Sequence, residues 1–300
     1  MTSARDPFTR YRERLADLGF RPSSTRGQNF LLDPTLHRWI AAAAAPTAAD
    51  LVLEVGVGLG FLTGELAALA GRVVGVEIDE RLFEVATADL RGRANVDLVL
   101  ADALGGPGGT LPDAVRAALA AAMPAPPGAF LVVANLPYAA SGPLLAELGC
   151  LERPPDRIVV LVQKELGERL AASAATPAYG GLSVQLQVGY AVELLRTVPP
   201  EVFRPRPKVA SAVVRLVRRQ PGRGWSVGER RRFQVFVRAL FGQRRKALRT
   251  TLGQALAALD PELPAGGLAR LELPEDLLAL RAEAIGPDAL ADLFERVAGG

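Results

Sequence analysis

Along the first half of the chain, short apolar runs alternate with segments of helical period. Leu51–Val55 is an apolar-rich run of strand length that ends in Gly56-Val57-Gly58-Leu59-Gly60, and Phe61–Ala70 follows with apolar residues at helical spacing. The alternation continues: Arg72–Ile78 reads as a strand and Glu80–Leu90 as a helix, with Val96–Ala101, Phe130–Ala134 and Ile158–Val162 as further strands. Strands alternating with helices predict an α/β fold, a parallel sheet covered on both faces. Upstream, a helix is predicted from Pro34 into the Ala41–Ala45 run, and Leu186–Val198 and Ser211–Val217 read as two more strands closing one edge. Residues 103–129 are rich in Gly, Pro and Ala around one helical stretch, Asp113–Ala122, and read as a surface excursion.

Near residue 220 the pattern changes. Pro221-Gly222-Arg223-Gly224 is a linker candidate, Ser226-Val227-Gly228-Glu229 is a capping box, and helical periodicity then runs to residue 298. The predicted division is a larger α/β domain over residues 1–220 and a small α-helical domain over 221–300. The first thirty residues are polar and basic, with Arg5, Arg10, Arg12, Arg14, Arg21 and Arg26.

Composition narrows the chemistry. With 49% apolar residues and a mean hydropathy of +0.19, the chain supports a sizeable core. No apolar run has the length of a membrane span, and no secretory leader is read at the start. The single cysteine, Cys150, and the single histidine, His37, exclude a disulfide framework, a cysteine-built metal site and Ser-His-Asp catalysis. Cys150 follows Gly149 and reads as a small buried hydrophobe, not as a nucleophile toward a pyrimidine. A reduced, cytoplasmic setting fits, with no metal.

The net charge of +3 hides an asymmetry. Between Phe203 and Arg249 stand fifteen Lys or Arg and one acid, Glu229. Arginine predominates, and its planar fork binds phosphate bidentately and stacks on bases. Arginine is also favoured over lysine throughout this chain, but that bias does not explain the one-sided sign. Nucleic-acid contact is the better reading.

The glycine loop at the end of the first strand lies where open α/β sheets bind ligands. A dinucleotide fingerprint needs G-x-G-x-x-G, whereas here position 61 is Phe and the glycines run G-x-G-x-G. Glu77 ends the second strand, in position to accept from both ribose hydroxyls, and Asp102 ends the third, in position to accept from an adenine amine. Either acid taken alone also reads as a cap or turn residue. Three successive strand ends offer a glycine loop and two acids but no phosphate-binding group, which suits the phosphate-free nucleoside S-adenosyl-L-methionine.

Asn135-Leu136-Pro137-Tyr138 follows the fourth strand. The exocyclic amine of adenine is a poor nucleophile because its lone pair is delocalised into the ring. The side-chain carbonyl of Asn135 and the backbone carbonyl of Leu136 suit the task of accepting from that amine. Pro137 fixes the turn, and Tyr138 offers a face for stacking. No general base is required, because the nitrogen sheds its proton readily once methylated, so catalysis rests on alignment and electrostatics. Phe203, before Arg204-Pro205-Arg206-Pro207-Lys208, is either a second stacking face for an extruded base or a core residue before a proline-rich turn.

Taken together, these residues resemble the ribosomal-RNA adenine N6-dimethyltransferases, and more narrowly the bacterial small-subunit type. The resemblance is carried by Gly27-Gln28-Asn29-Phe30-Leu31, Glu54 through Gly60, Val76-Glu77-Ile78-Asp79, Ala101-Asp102-Ala103-Leu104, Asn135 through Tyr138 and Gln163-Lys164-Glu165. Further along it is carried by Tyr179-Gly180, Leu182-Ser183-Val184, Phe203 through Val214, Phe241 through Leu248 and Arg281-Ala282-Glu283. It implies a Rossmann-like seven-stranded methyltransferase domain followed by a helical one. It implies that Gln28, Asn29 and Leu31 contact the cofactor, Gly56 and Gly58 its amino-acid end, Glu77 and Ile78 its ribose side, Asp102 and Ala103 its adenine, and Asn135 both cofactor and target. Tyr138 and Phe203 would sandwich the target base. Arg204, Arg206, Lys208, Arg244, Arg245, Lys246 and Arg249 would meet RNA. The implied substrate is a pair of adjacent adenines in the 3′-terminal hairpin of 16S rRNA, dimethylated by a monomeric enzyme within a small-subunit precursor.

Departures from the family pattern are Val57 for the usual Pro, Ala139 for Asn, Gly142 for Thr, Ala210 for Asp, and an Ala171–Pro177 segment without the usual basic residues. The readings that compete are a 23S rRNA dimethyltransferase of the antibiotic-resistance type and a non-catalytic ribosome-assembly factor. The Gly27-Gln28 start and Arg244-Arg245-Lys246 weigh against the former.

Overall fold

The computed structural model describes residues 19, 29–126, 128–260 and 272–298. The basic N-terminal segment and Gln28 lie outside the described residues.

Among the described residues a seven-stranded mixed sheet runs β4-β3-β2-β5-β6-β9-β7. Its strands are β2 (Leu51–Val55), β3 (Arg72–Glu77), β4 (Val96–Leu100), β5 (Phe130–Asn135), β6 (Arg157–Gln163), β7 (Tyr190–Val198) and β9 (Ser211–Arg218). Pairing is parallel between β2 and β3, β3 and β4, β2 and β5, and β5 and β6, with Val55 opposite Val76 and Leu53 opposite Val132. From β2 the chain builds outward to β3 and β4 on one side, then returns to place β5 and β6 on the other. The crevice at such a reversal, at the carboxyl ends of β2 and β5, is where sheets of this kind bind ligands.

A small antiparallel pair joins β1 (Phe30–Leu31) to β8 (Phe203–Arg204), with Leu31 opposite Phe203. Helix α1 (Pro34–Ala44) starts as its sequence dictates: Asp33 accepts from the N–H groups of Thr35 at 2.8 Å and Leu36 at 3.3 Å, and Pro34 fills the first turn. Leu36, Ile40 and Ala44 of α1 belong to one core with Val52, Leu131, Val159 and Phe203. Asp79 likewise caps α3 (Glu80–Asp89), which follows α2 (Phe61–Ala67). Helix α4 (Asp113–Ala122) fills the predicted excursion.

One strand boundary is corrected. Gly181–Gln187 is helix α7, and β7 begins only at Tyr190. The alternation Val184-Gln185-Leu186-Gln187-Val188 imitates a strand. Side chains decide the matter: Ser183 Oγ accepts from Gly180 N–H at 3.1 Å, and Gln187 Nε2 donates to Leu170 O and Ala172 O at 2.8 and 2.9 Å. Those bonds reward a helical turn, and the apolar residues are buried on its inner side.

The chain groups into two compact units. The first holds residues up to Glu147, then Pro155–Gly167 and Leu194–Leu216. The second holds Leu148–Pro154, Glu168–Glu193 and the chain from Val217. Two of its pieces therefore lie within the stretch that the sequence assigns to the first domain. The core of the second unit gathers α7, α8 (Val227–Phe241), α9 (Leu248–Leu259) and α11 (Pro287–Ala298), α10 (Glu275–Ala279) being a short intervening turn of helix. Trp225, Phe233 and Phe294 meet with ring centroids 4.8–5.3 Å apart. The predicted capping box is formed: Ser226 Oγ accepts from Glu229 N–H at 3.2 Å, and Glu229 Oε2 accepts from Ser226 N–H at 2.7 Å. The segment Pro221–Gly224 is not a free tether, since Arg223 pairs with Asp292 at 2.7 Å and Glu295 at 3.2 Å on α11. No helix among the described residues is long and apolar enough to cross a membrane.

Candidate active site

A cleft of ≈340 Å³ opens at the carboxyl ends of β2, β3, β4 and β5, within the ~300–1,000 Å³ range of small-molecule sites. Of the predicted cofactor residues, Asn29, Leu31, Gly56, Gly58, Glu77, Ile78, Asp102, Ala103 and Asn135 all line it. So do Leu136, Pro137 and Tyr138.

The glycine loop is shaped by backbone need. Gly56 and Gly58 have φ of +83° and +58°, the left-handed region. A Cβ at Gly56 would also stand 3.5 Å from Asn135 O and 3.7 Å from Pro137 Cδ, so the loop and the Asn135–Pro137 turn approach each other closely.

Glu77 ties the loop to the next strand. Its Oε2 accepts from Gly58 N–H at 2.7 Å, and its Oε1 accepts from the N–H groups of Ile78 and Asp79, both at 2.9 Å. A carboxylate offers about four acceptor positions, and three are filled. As the loop stands, Glu77 has room for one ribose hydroxyl where the sequence reading gave it two. Burial pushes its carboxyl upward, opposed by those three backbone donors. Asp102 is exposed and accepts from Leu104 N–H at 2.9 Å, which bends the chain after β4 across the mouth of the cleft.

At the end of β5, Asn135 Nδ2 donates to Asn29 O at 3.3 Å. With one of its two amide hydrogens so engaged, the side chain is oriented and Oδ1 is open to a ligand's donor. Leu136 N–H donates to Leu161 O at 3.1 Å, and Pro137 O accepts from Ser141 Oγ at 2.9 Å, so the turn is held at both ends. Tyr138 opens α5 (Tyr138–Leu148), and its hydroxyl lies 2.7 Å from Ser211 Oγ on β9. Ser211 is fully buried, and this bond fixes the ring in the cleft wall.

Phe203 is corrected. Its ring has no exposed surface and packs in the core with Leu31, Leu36 and Val213. Pairing of β8 with β1 turns it inward, so it presents no face to a base. The phenylalanines that do line the cleft are Phe30 and Phe61.

Sequence reasoning also passed over two titratable residues of this cleft, Glu54 and His37. Glu54 was quoted with the glycine loop and given no role. His37 is buried, and desolvation lowers it to about 4 despite the nearby charge of Asp33, so it is neutral at physiological pH. The signal for both is position alone: one residue lies two before the loop, the other on the face of α1 that follows Asn29.

Three acids, Glu54, Glu77 and Asp102, line the cleft, and among the described residues that line it none is Lys or Arg. Such a wall repels phosphate and attracts cations. S-adenosylmethionine carries positive charge on its sulfonium and its amine and has no phosphate, and the residues present fit it.

The basic residues divide. Arg204, Arg206 and Lys208 are exposed in the first unit. Arg204 Nη1 donates to Glu201 O and Phe203 O, both at 2.8 Å, and Arg206 pairs with Glu201. In the second unit, Arg244 is spent largely on structure: it bonds Glu283 Oε2 at 3.1 Å, Pro177 O at 3.2 Å and Tyr179 O at 2.9 Å. Arg249 pairs with Glu275. Arg245 and Lys246 are exposed in the turn between α8 and α9.

The model of one protein family, "Ribosomal RNA adenine dimethylase", matches residues 20–263. "Ribosomal RNA small subunit methyltransferase A" of Anaeromyxobacter dehalogenans is 42% identical over 253 residues, 82% of this chain and 84% of that one. The protein of the same name from Listeria monocytogenes is 34% identical over 283 residues, 94% of this chain and 91% of that one. Among solved structures, a dimethyladenosine transferase from Plasmodium falciparum superposes with a TM-score of 0.67 at 22% identity, covering 88% of this chain and 94% of its own, a likeness of fold. The 23S rRNA methyltransferase ErmE superposes with a TM-score of 0.58 at 27% identity, covering 90% of this chain and 100% of its own.

Proposed function

The chain belongs to the ribosomal RNA adenine dimethylase family, and from that premise we propose that it is the 16S rRNA (adenine-N6,N6)-dimethyltransferase of the small subunit, acting on two adjacent adenines of the 3′-terminal hairpin. The observation that carries this reading is the single cleft in which an acid-lined cofactor wall meets the Asn135–Tyr138 turn. It works as a monomer in the cytoplasm, without a metal, on a precursor of the small subunit. Methyl transfer belongs to the first unit, and the second contributes rRNA contacts.

Bound S-adenosylmethionine supplies an electrophilic methyl group on sulfur. The protein's part is to make the adenine amine nucleophilic and to aim it. Asn135 Oδ1 and the Leu136 carbonyl accept its two hydrogens, which draws the nitrogen toward tetrahedral geometry and frees its lone pair. Tyr138 stacks on the base, held by Ser211. No side chain needs to remove the proton, since a methylated ammonium loses it to water readily.

Tyr138→Phe keeps the ring and deletes the bond to Ser211. A net hydrogen bond is worth about 0.5–1.5 kcal/mol, so kcat is expected to fall roughly 2- to 10-fold with cofactor affinity unchanged. Single-turnover methylation alongside calorimetry with the cofactor product checks this, and an unchanged kcat would remove the orienting role of Ser211. Replacing Arg245 and Lys246 with Ala is expected to weaken subunit binding and flatten log K against log salt by roughly 1.5, at about 0.7–0.9 per phosphate contact. An unchanged slope moves the RNA surface elsewhere. Arg244→Ala, by contrast, acts through lost structure.

The direct test mixes the protein, labelled S-adenosylmethionine and small subunits from a strain lacking the modification, followed by mass spectrometry of digested rRNA. N6,N6-dimethyladenosine in the 3′-terminal hairpin is expected. Dimethyladenosine found only in 23S rRNA would transfer the assignment to the resistance-type enzymes. No methylation of either, with binding intact, would leave an assembly factor.

A further inference from the structure

Glu54 stands in the middle of the sheet. It lies on β2 opposite Gly75 of β3, which sends no side chain toward it; a Cβ there would fall 2.7 Å from Val57 Cγ2 and Leu98 Cδ2. Its side chain is almost wholly enclosed, yet it borders the cleft beneath the glycine loop. Thr63 approaches from α2 closely enough to favour the charged carboxyl, but among the described residues neither Glu54 Oε2 nor Thr63 Oγ1 makes a well-formed hydrogen bond. An enclosed carboxyl oxygen with nothing to bond is rare in a folded protein and asks for an explanation.

Among the described residues, the surroundings offer no positive charge. Glu77 faces it from β3 and adds repulsion. His37 from α1 borders the same cleft and is neutral. Asn135 at the end of β5 is uncharged, Tyr138 on α5 carries a phenol that burial pushes upward, and Asp102 beyond β4 is a third acid. A lone buried carboxylate in such a place costs far more than a neutral carboxylic acid. Burial, opposed by Thr63 and with Glu77 adding to it, pushes the Glu54 carboxyl up to about 8.

We propose that Glu54 is a proton-exchanging subsite for the amino-acid end of the cofactor: it is a neutral acid in the empty cleft and a carboxylate when the ligand's α-ammonium lies against it. The exchange balances simply. The carboxyl O–H bond breaks, the proton leaves to solvent, and the carboxylate pairs with an ammonium that keeps its three protons. Cofactor capture is thereby a proton-releasing step, and affinity rises with pH until about 8. Above that, the carboxyl is already ionised in the empty cleft and the gain levels off. The inference rests on the cofactor reading of this cleft.

Isothermal calorimetry at pH 7.0 in phosphate and in Tris, buffers of different ionisation heat, counts the protons released. The two probes are S-adenosylhomocysteine, which carries the amino-acid end, and 5′-methylthioadenosine, which lacks it. Release of roughly 0.9 proton is expected with the first, the share of a group titrating at about 8 that is still protonated at pH 7, and little with the second. Glu54→Gln replaces a neutral acid with a neutral amide of the same shape. It is expected to leave the melting temperature of the empty protein unchanged, to abolish the release, and to flatten the nearly tenfold gain in affinity between pH 6 and 7. Equal release with both probes would assign the proton to Glu77 and overturn the proposal. So would release that persists in Glu54→Gln, or none in the wild type. Failure of both probes to bind would instead overturn the cofactor reading beneath it. If the Gln variant does not fold, the contrast between the two probes on the wild type decides alone.

Discussion

Asn135→Ala is expected to lower methyl transfer by about 100- to 1,000-fold, the loss typical when one preorganised polar group at a reacting centre is removed, while subunit binding stays near wild type. Two atoms of the side chain matter in different ways. Nδ2 is committed to Asn29 O at 3.3 Å, which sets the orientation of the amide. In the proposed mechanism Oδ1 is the acceptor for the target amine, and alanine supplies neither. Asn135→Asp separates the two functions. It keeps an acceptor but offers no donor to Asn29 O, so some activity returns only if orientation is a secondary matter. Rates under single turnover with saturating cofactor, beside filter binding of small subunits, measure both quantities. Equal loss of methylation and of binding would sink the division of labour between the Asn135 turn and the basic surfaces.

Glu77→Gln is expected to weaken cofactor binding much more than its near-identical shape suggests. Three backbone N–H groups converge on this carboxylate from two sides, Gly58 on Oε2 and Ile78 and Asp79 on Oε1. An amide has one oxygen and can satisfy only one side; its NH₂ then opposes an N–H across the other. If the oxygen stays with Ile78 and Asp79, Gly58 loses its partner and the glycine loop is released. A buried donor left unsatisfied costs about 1–3 kcal/mol, or roughly 5- to 150-fold in affinity, and the ribose acceptor is compromised in addition. Calorimetry with S-adenosylhomocysteine checks the affinity, and a melting curve shows whether the fold holds. Affinity within twofold of wild type would mean that the loop does not depend on this carboxylate.

Much of the cofactor wall was legible because its requirements are local. A left-handed backbone at Gly56 and Gly58 admits few residues but glycine, and acids ending β3 and β4 follow from strand length and spacing. The Ser226–Glu229 box is likewise a four-residue statement that the structure repeats. What sequence did not give was set by distant partners. Phe203 reads equally as a stacking ring or a core ring until its strand pairs with Leu31 and turns it inward. Arg244 reads as one more cation in a basic run until Pro177, Tyr179 and Glu283 claim its guanidinium. The run Val184–Val188 has the period of a strand, and only bonds to Arg169, Leu170 and Ala172 show that it is helical. The place of Glu54 in the cleft is of the same kind, since apolar neighbours in sequence hid an orphan oxygen in space.

The interrupted make-up of the second unit bears on how the chain is made. A ribosome delivers residues in order, and domains generally form as soon as their parts are out. Here Glu168–Glu193 emerges well before Val217, yet the hydrophobic core it joins is built mostly from residues that follow it. Tyr179 donates its hydroxyl to Ile285 O at 3.0 Å, and Val184 and Val188 share a core with Leu290 and Phe294. That stretch must therefore wait, its apolar face uncovered, until nearly the whole protein has been translated. The nascent chain passes through an interval in which a helix is present and its pocket is not.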